Sequence, residues 1–292
     1  NTTFENVMGL EFENTRHSLM ADNLVYNNST GIMLSLIPGL PVKDANNLVI
    51  RNNVIRDNNL ANFAPASSIA ASVPPGVGLI IEAADDVVVK DNTFEGNKTV
   101  AVFVTDMYSF GLGGDSKVEP YSDNIEIREN TWINNGNEPF GSLGDLVAMT
   151  GQSGLELLTT GKERTSCFSE QKEFAQMGAK KWSICGDKIT HPDYQTAMLD
   201  KPIKSVKYTA EQKGRLTYLA VCTGCHTYNT VLHGPSMQAI KAMYTDNLAG
   251  LKDYIEKPIR KRQDFTEMPP QAYLGKETID AIANYVLNDL KK

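Results

Sequence analysis

One seven-residue pattern recurs four times in the first half of the chain and limits what that half can become. It reads Asp22-Asn23-Leu24-Val25-Tyr26-Asn27-Asn28, Asn52-Asn53-Val54-Ile55-Arg56-Asp57-Asn58, Asp91-Asn92-Thr93-Phe94-Glu95-Gly96-Asn97 and Glu129-Asn130-Thr131-Trp132-Ile133-Asn134-Asn135, with a degenerate copy at residues 2–6. Short alternating stretches precede the pattern at residues 47–51, 86–90 and 124–128, and apolar stretches follow it at residues 31–36, 78–83 and 100–105. Each repeat therefore offers three short strands. Spacings of 30, 39 and 38 residues separate Asn23, Asn53, Asn92 and Asn130, as expected of stacked coils whose loops differ in length. Asparagine suits both demands of such stacking. It tolerates the left-handed backbone of a corner, and identical amides in successive coils can hydrogen-bond as a ladder.

With these repeats, residues 1–150 resemble right-handed parallel β-helix proteins, a family of coils found in pectate lyases and in periplasmic copper-maturation proteins. The resemblance implies an all-β domain. A β-sandwich is the other architecture that many short strands permit.

Charge is shared unevenly along the 292 residues. Residues 1–150 carry 19 acidic against 8 basic side chains, residues 151–205 carry 7 against 8, and residues 206–292 carry 9 against 12. No run of eighteen apolar residues occurs, so no span of a membrane is expected. The chain starts at Asn1, inside a repeat and without an initiator Met, and reads as processed or incomplete. Residues 151–206 read as a connector. The strand pattern is expected to stop after residues 146–150, with Gly151, Gly154 and Gly161 marking the boundary. Charged residues interleaved with Phe174, Met177 and Trp182 suggest a short helix over residues 169–181. The stretch through His191-Pro192 and Lys201-Pro202 lacks periodicity.

Near the C-terminus stands Cys222-Thr223-Gly224-Cys225-His226, the attachment pattern of a c-type haem. Each thiol adds to one haem vinyl group, and the tether holds His226 under the iron as proximal ligand. A zinc half-site would need a second ligand pair, but no cysteine follows Cys225, and the remaining histidine beyond it is His233. Cys167 and Cys185 are then left as an even pair. In an oxidising compartment they are expected to form a disulfide that pins the connector, the alternative being two separate buried thiols.

From residue 207 the pattern is helical. Thr209 and Gln212 fit a capping box, and Leu216, Leu219 and Ala220 give an apolar face leading into the haem motif. Ile279, Ile282, Ala283, Val286, Leu287 and Leu290 form a helical stripe at the end. Gly214 and Tyr218 before the motif, Gly234-Pro235 after it, Met268-Pro269-Pro270 and Tyr285 make residues 207–292 resemble class I cytochromes c. The resemblance implies an all-α domain with one covalent haem c, His226 and Met268 as iron ligands, and the Pro235 carbonyl accepting the His226 Nδ1 proton. A thioether ligand favours ferrous iron and raises the reduction potential. Met237, Met243 and His233 are competing sixth ligands; an open sixth position would make the domain a haem sensor or peroxidase instead. Attachment of such haems outside the bacterial cytoplasm implies a periplasmic or cell-surface protein.

Lys257, Arg260, Lys261 and Arg262 precede Met268 and suit docking of an acidic redox partner, though a solvated turn has the same composition. Nucleic acid is not expected: the basic excess is small and no aromatic platform accompanies it. In the β-helix, Asp85, Asp86, Asp106, Asp115 and Glu119 fall in or near loops and Arg51, Arg56 and Arg128 on or beside strands, with no spacing that selects a catalytic set. Asp-rich loops offer calcium a set of oxygen ligands, although a stretch so dense in Asp and Asn produces such clusters in any case; the acidic surface should repel a polyuronate. The expectation is an exported electron carrier rather than a catalyst, with the β-helix as scaffold or docking module. The alternative is a β-helix that binds or cleaves carbohydrate, coupled to a cytochrome domain.

Overall fold

The computed structural model describes residues 1–113, 115–149, 151, 154–162, 165–169, 174–186 and 206–291. The chain divides into two compact units, Asn1–Ala64 with Ala70–Thr196, and Pro65–Ile69 with Ala197–Lys292.

Coils of three strands build the first unit. The first holds β1 (Thr2–Thr3), β2 (Met8–Glu13) and β3 (Arg16–Ala21); the second β4 (Leu24–Tyr26), β5 (Thr30–Ser35) and β6 (Asn46–Arg51); the third β7 (Val54–Arg56), β8 (Val77–Glu82) and β9 (Asp85–Lys90). The fourth holds β10 (Thr93–Glu95), β11 (Val100–Thr105) and β12 (Asp123–Arg128), and the fifth β13 (Thr131–Ile133), β14 (Leu157–Thr159) and β15 (Cys167–Ser169); β16 (Gln176–Met177) and β17 (Ser183–Ile184) begin another. Corresponding strands of successive coils pair in parallel, giving three sheets in the orders β1-β4-β7-β10-β13, β2-β5-β8-β11-β14-β16 and β3-β6-β9-β12-β15-β17.

The repeated heptapeptide makes the short strand and both corners beside it. Corner residues Asp22, Asn52, Asp91 and Glu129 adopt φ of 59°, 55°, 55° and 57°, and Asn27, Asp57 and Asn134 do so on the other side. The asparagine next to each corner turns inward instead. Asn23 donates to Asn53 Oδ1 at 2.8 Å, Asn53 to Asn92 at 3.0 Å and Asn92 to Asn130 at 3.1 Å. A second ladder runs from Asn28 to Asn58, Asn97 and Asn135 at 2.9, 3.1 and 3.1 Å. Each rung also takes up backbone groups, as when Asn92 Nδ2 donates to Ile50 O at 2.9 Å, so amides that are almost fully buried stay satisfied.

Inside the coils, Leu34, Ile50, Ile81, Val89, Phe94, Val104 and Ile127 stack in one core. Every residue of β5, β8 and β11 is buried, which requires cover on both faces. The outer cover includes helix α1 (Gly141–Ala148), whose Leu143 and Val147 pack on Met33, Ile80 and Phe103. Here the sequence expectation fails: residues 146–150 read as a strand, but Leu143 and Val147 lie one helical turn apart and are the face that α1 buries.

Nor does the strand pattern end at residue 150. β14 pairs with β11 and β15 with β12, so the segment expected to be a connector continues the sheets. Instead of a helix over residues 169–181, the described residues 174–181 contain β16. Phe174 and Trp182, the apolar signal behind that expectation, pack on the β-helix core. Cys167 and Cys185 form a disulfide that joins β15 to the residue after β17. His191-Pro192 and Lys201-Pro202 lie outside the described residues.

Helices form the second unit: α2 (Ala210–Thr217), α3 (Met237–Met243), α4 (Leu248–Glu256) and α5 (Lys276–Asn284). The Thr209–Gln212 capping box is present, with Gln212 N donating to Thr209 Oγ1 at 3.2 Å and Thr209 N to Gln212 Oε1 at 3.0 Å. α2 packs on α5 through Gly214, where a Cβ would collide with the Ala281 carbonyl and meet Tyr285 Cβ at 2.8 Å. Ile279, Ile282, Ala283, Val286 and Leu290 share a core with Tyr218, Met237, Tyr244, Leu251 and Ile255. The face expected at Leu216 and Ala220 is exposed, and α2 buries Gly214 while the turn after it buries Tyr218. Among the described residues, no helix is long and apolar enough to cross a membrane.

Candidate haem site

α2 does not stop at Thr217 but widens into a π turn over Tyr218–Cys222, in which the Thr223 amide reaches back to Tyr218 O at 3.3 Å. Such widened turns recur at functional sites. The Cys222 carbonyl then accepts two amides, from Cys225 at 3.1 Å and His226 at 2.9 Å. That double acceptance folds both cysteines and the histidine into one turn.

The chain beyond closes back on this turn. Gly234 N donates to Cys225 O at 3.0 Å and Met237 N to Thr227 O at 2.8 Å. His226 Nδ1 lies 2.8 Å from the Pro235 carbonyl oxygen. A carbonyl only accepts, so Nδ1 carries the proton and Nε2 keeps its lone pair for a metal. Gly234 has to be glycine for this arrangement, since a Cβ there would collide with the imidazole ring. Burial holds the His226 pKa below its ordinary value, partly opposed by the Pro235 bond, and nearby His233 adds to the lowering. The lowering favours the neutral ring, the form that ligates metals.

Cys222 is half-buried and Cys225 exposed, and neither forms a disulfide. Burial, with Cys225 beside it, pushes the Cys222 thiol up to about 11. Two thiols and an oriented neutral imidazole on one turn are a donor set that fits haem.

Among the candidate sixth ligands, Met237 is buried in the helical core and Met243 is 59% exposed on α3. Both are accounted for by packing or solvent. Met268 is half-buried in an irregular segment. The residues after it are anchored: Gln271 N donates to Ile255 O at 3.1 Å, and Gln271 Nε2 to Pro269 O at 2.7 Å. Gln271 was not singled out by the sequence, because its role depends on a contact with α4.

Most of the basic residues before Met268 are occupied. Lys261 Nζ donates to Tyr244 OH at 2.8 Å and lies over the Tyr254 ring at 4.6 Å. Arg262 pairs with Asp264 and lies over Phe265. Arg260 donates to the Gln263 carbonyl at 2.6 Å, while Lys257 is exposed at the end of α4. These contacts shape the loop, and among the described residues Arg262 is the one of the four whose charge a carboxylate offsets.

In the β-helix, the acids and bases noted from the sequence are mostly engaged structurally. Lys43 Nζ holds Asp115 at 2.7 Å, Asp106 accepts the Ser109 amide at 3.1 Å, Arg56 stacks on Tyr26, and buried Arg128 pairs with Glu126 at 3.1 Å. Asp85 is the exception: burial, with Glu119, Asp123 and Asp86 close by, pushes its carboxyl up to about 7.

Parallel three-stranded coils followed by helices that carry a Cys-X-X-Cys-His turn define a β-helix protein with an appended cytochrome c domain. Residues 1–112 and 38–161 match the right handed beta helix region, and residues 209–286 match cytochrome C oxidase, cbb3-type, subunit III. The chain belongs to the right-handed β-helix family over more than half of its length, and its C-terminal part is a cytochrome c domain, which implies haem. No curated protein and no solved structure matches the chain.

Proposed function

We propose that this is an exported c-type cytochrome that passes single electrons between protein partners, with the β-helix as scaffold or docking module. Cys222 and Cys225 would tether one haem, each thiol adding to a vinyl group with sulfur going to one carbon and hydrogen to the other. His226 and Met268 would hold its iron. Bound this way, the haem supplies a one-electron Fe(III)/Fe(II) couple. The Pro235 carbonyl fixes the His226 ring and leaves the Nε2 lone pair free for a metal, and the loop from Gly234 back to Cys225 holds that ring in place.

The observation that carries this reading is the turn at Cys222, whose carbonyl gathers the Cys225 and His226 amides while Pro235 orients the imidazole. Disulfide formation at Cys167–Cys185 supports export to an oxidising compartment. Lys257, Arg260 and Lys261 offer a positive rim for an acidic partner, an attraction that salt screens.

Acid–acetone treatment of the purified protein tests the attachment. The colour should stay with the polypeptide in the native chain and become extractable when Cys222 and Cys225 are both changed to Ala; free extraction from the native chain would overturn it.

A further inference from the structure

The outer face of the second sheet carries one column of side chains unlike its neighbours. Glu13 pairs with Ser35 across β2 and β5. Leu34 pairs with Ile81, so Ser35 stands next to Glu82 on β8. Leu34 and Ile81 point into the core, and the alternation of a strand sends Ser35 and Glu82 to the opposite face. Glu82 is 0% exposed, and neither of its carboxylate oxygens has a hydrogen-bond partner. A buried carboxylate without a partner is costly and calls for a specific explanation.

Its neighbours cannot supply one. Thr105, the register partner of Glu82 on β11, donates to Ser109 Oγ at 2.7 Å and contacts Thr160 Oγ1 at 2.8 Å. Asp106 is another carboxylate and accepts from Ser109. The Ser35 hydroxyl donates to Glu11 Oε1 at 3.1 Å, bringing a further acid to the same place. Among the described residues, no lysine or arginine pairs with Glu11, Glu13 or Glu82.

We infer that Glu82, Glu13 and Glu11, with the Ser35 hydroxyl between them, bind a hard divalent cation of the calcium class on the outer face of β2, β5 and β8. Glu13 and Glu82 stand two rungs apart, roughly 9.5 Å at the backbone. Ser35 is the residue between them in the column, and its small side chain leaves its oxygen as a further donor for the ion. The set is not preassembled: among the described residues, the three-residue group with ligand atoms all within 4.8 Å is Glu126, Cys167 and Cys185, whose sulfurs are joined in the disulfide. Like charge favours that separation, and a bound cation removes the repulsion that keeps the carboxylates apart. Such a loosely preset, all-oxygen group suits calcium, which accepts flexible geometry, better than magnesium, which demands a tight octahedron. Exposed Glu11, half-buried Glu13 and fully buried Glu82 mark a path inward from the surface. The bound ion fastens the first coil to the third.

Thermal unfolding of the full-length haem-loaded protein, with calcium chloride or with EDTA at pH 8, tests this. Calcium should raise the melting temperature of the native β-helix, Glu82→Gln should abolish that rise, and Glu138→Gln, at an exposed acid paired with Lys98, should keep it. In EDTA, Glu82→Gln should melt at or above the native temperature, since it removes an uncompensated charge, so loss of the calcium response is not a folding defect. The inference is overturned if millimolar calcium leaves the native protein unchanged, or if Glu82→Gln responds as strongly as the native chain.

Discussion

Gly214 lies against the carbonyl oxygen of Ala281 so closely that no side chain fits between them, which lets α2 and α5 approach at backbone contact. Gly214→Ala should force the helices apart and destabilise the cytochrome domain by about 1–3 kcal/mol. Urea unfolding of the domain, followed by helical circular dichroism, measures the loss; a change under about 0.5 kcal/mol would mean the crossing is not held there.

The amide ladder makes a prediction for the other unit. Asn92 accepts Asn53 Nδ2 at 3.0 Å and donates to Asn130 and to Ile50 O. Asn92→Ala leaves buried partners unsatisfied on both sides and should cost about 2–5 kcal/mol. Loss of β-sheet circular dichroism at lower denaturant, with the haem absorption unaltered, is the expected record.

Stability of the β-helix should depend on pH in an unusual direction. Burial first, then Glu11, Asp106 and Glu13, push the Glu82 carboxyl up from 4.5 to about 8, and burial with Glu11 pushes Glu13 to about 7. Between 4.5 and those values the folded chain binds more protons than the unfolded one, so these groups favour folding fully below pH 4.5 and lose that contribution as pH rises towards 8. With EDTA present, the stability difference between the native chain and Glu82→Gln should grow in favour of the variant across this window and level off above it. A flat difference would count against the burial of Glu82.

Changing Met268 to Ala should lower the reduction potential and remove the weak long-wavelength band of methionine-ligated ferric haem, because a thioether stabilises ferrous iron. Met237→Leu and Met243→Ala should leave that band in place. Potentiometric titration with optical detection reads both, and an unchanged potential in Met268→Ala would assign the sixth position elsewhere.

Removing the Cys167–Cys185 bridge by a double change to Ser should destabilise the last coils by about 3 kcal/mol, given the 18-residue separation. Denaturant unfolding under non-reducing conditions compares the two.

The sequence was most legible where one residue type does the same job in every coil. The asparagines mark both ladders because their interval inside the heptapeptide, as from Asn23 to Asn28, survives changes in loop length, and the Cys222–His226 motif marks the turn because its chemistry fixes residue order. Legibility failed where strands shrink. β16 and β17 are two residues long, too short for any alternation to show, and they carry no asparagine repeat. α1 imitates a strand in the sequence because Leu146, Val147 and Ala148 form an apolar run whose partner, Leu143, lies one turn back. Glu82 escaped notice inside an apolar strand, since a single acid there means little until Glu13 and Ser35 are seen in the same column. Pro235 could be named from family likeness, whereas Gln271 needed the fold to bring it to Ile255.

The corners of the coils also set a scale for whatever the β-helix touches. The connections from β5 to β6, β7 to β8 and β11 to β12 start and end at fixed heights, because each is spliced between strands whose register the ladders hold. Loops can lengthen there without moving the rungs, and neighbouring coils present them at steps of about 4.8 Å. The scaffold acts as a ruled edge: a partner that binds it must match its features to that ruling, and new contacts can be gained one graduation at a time.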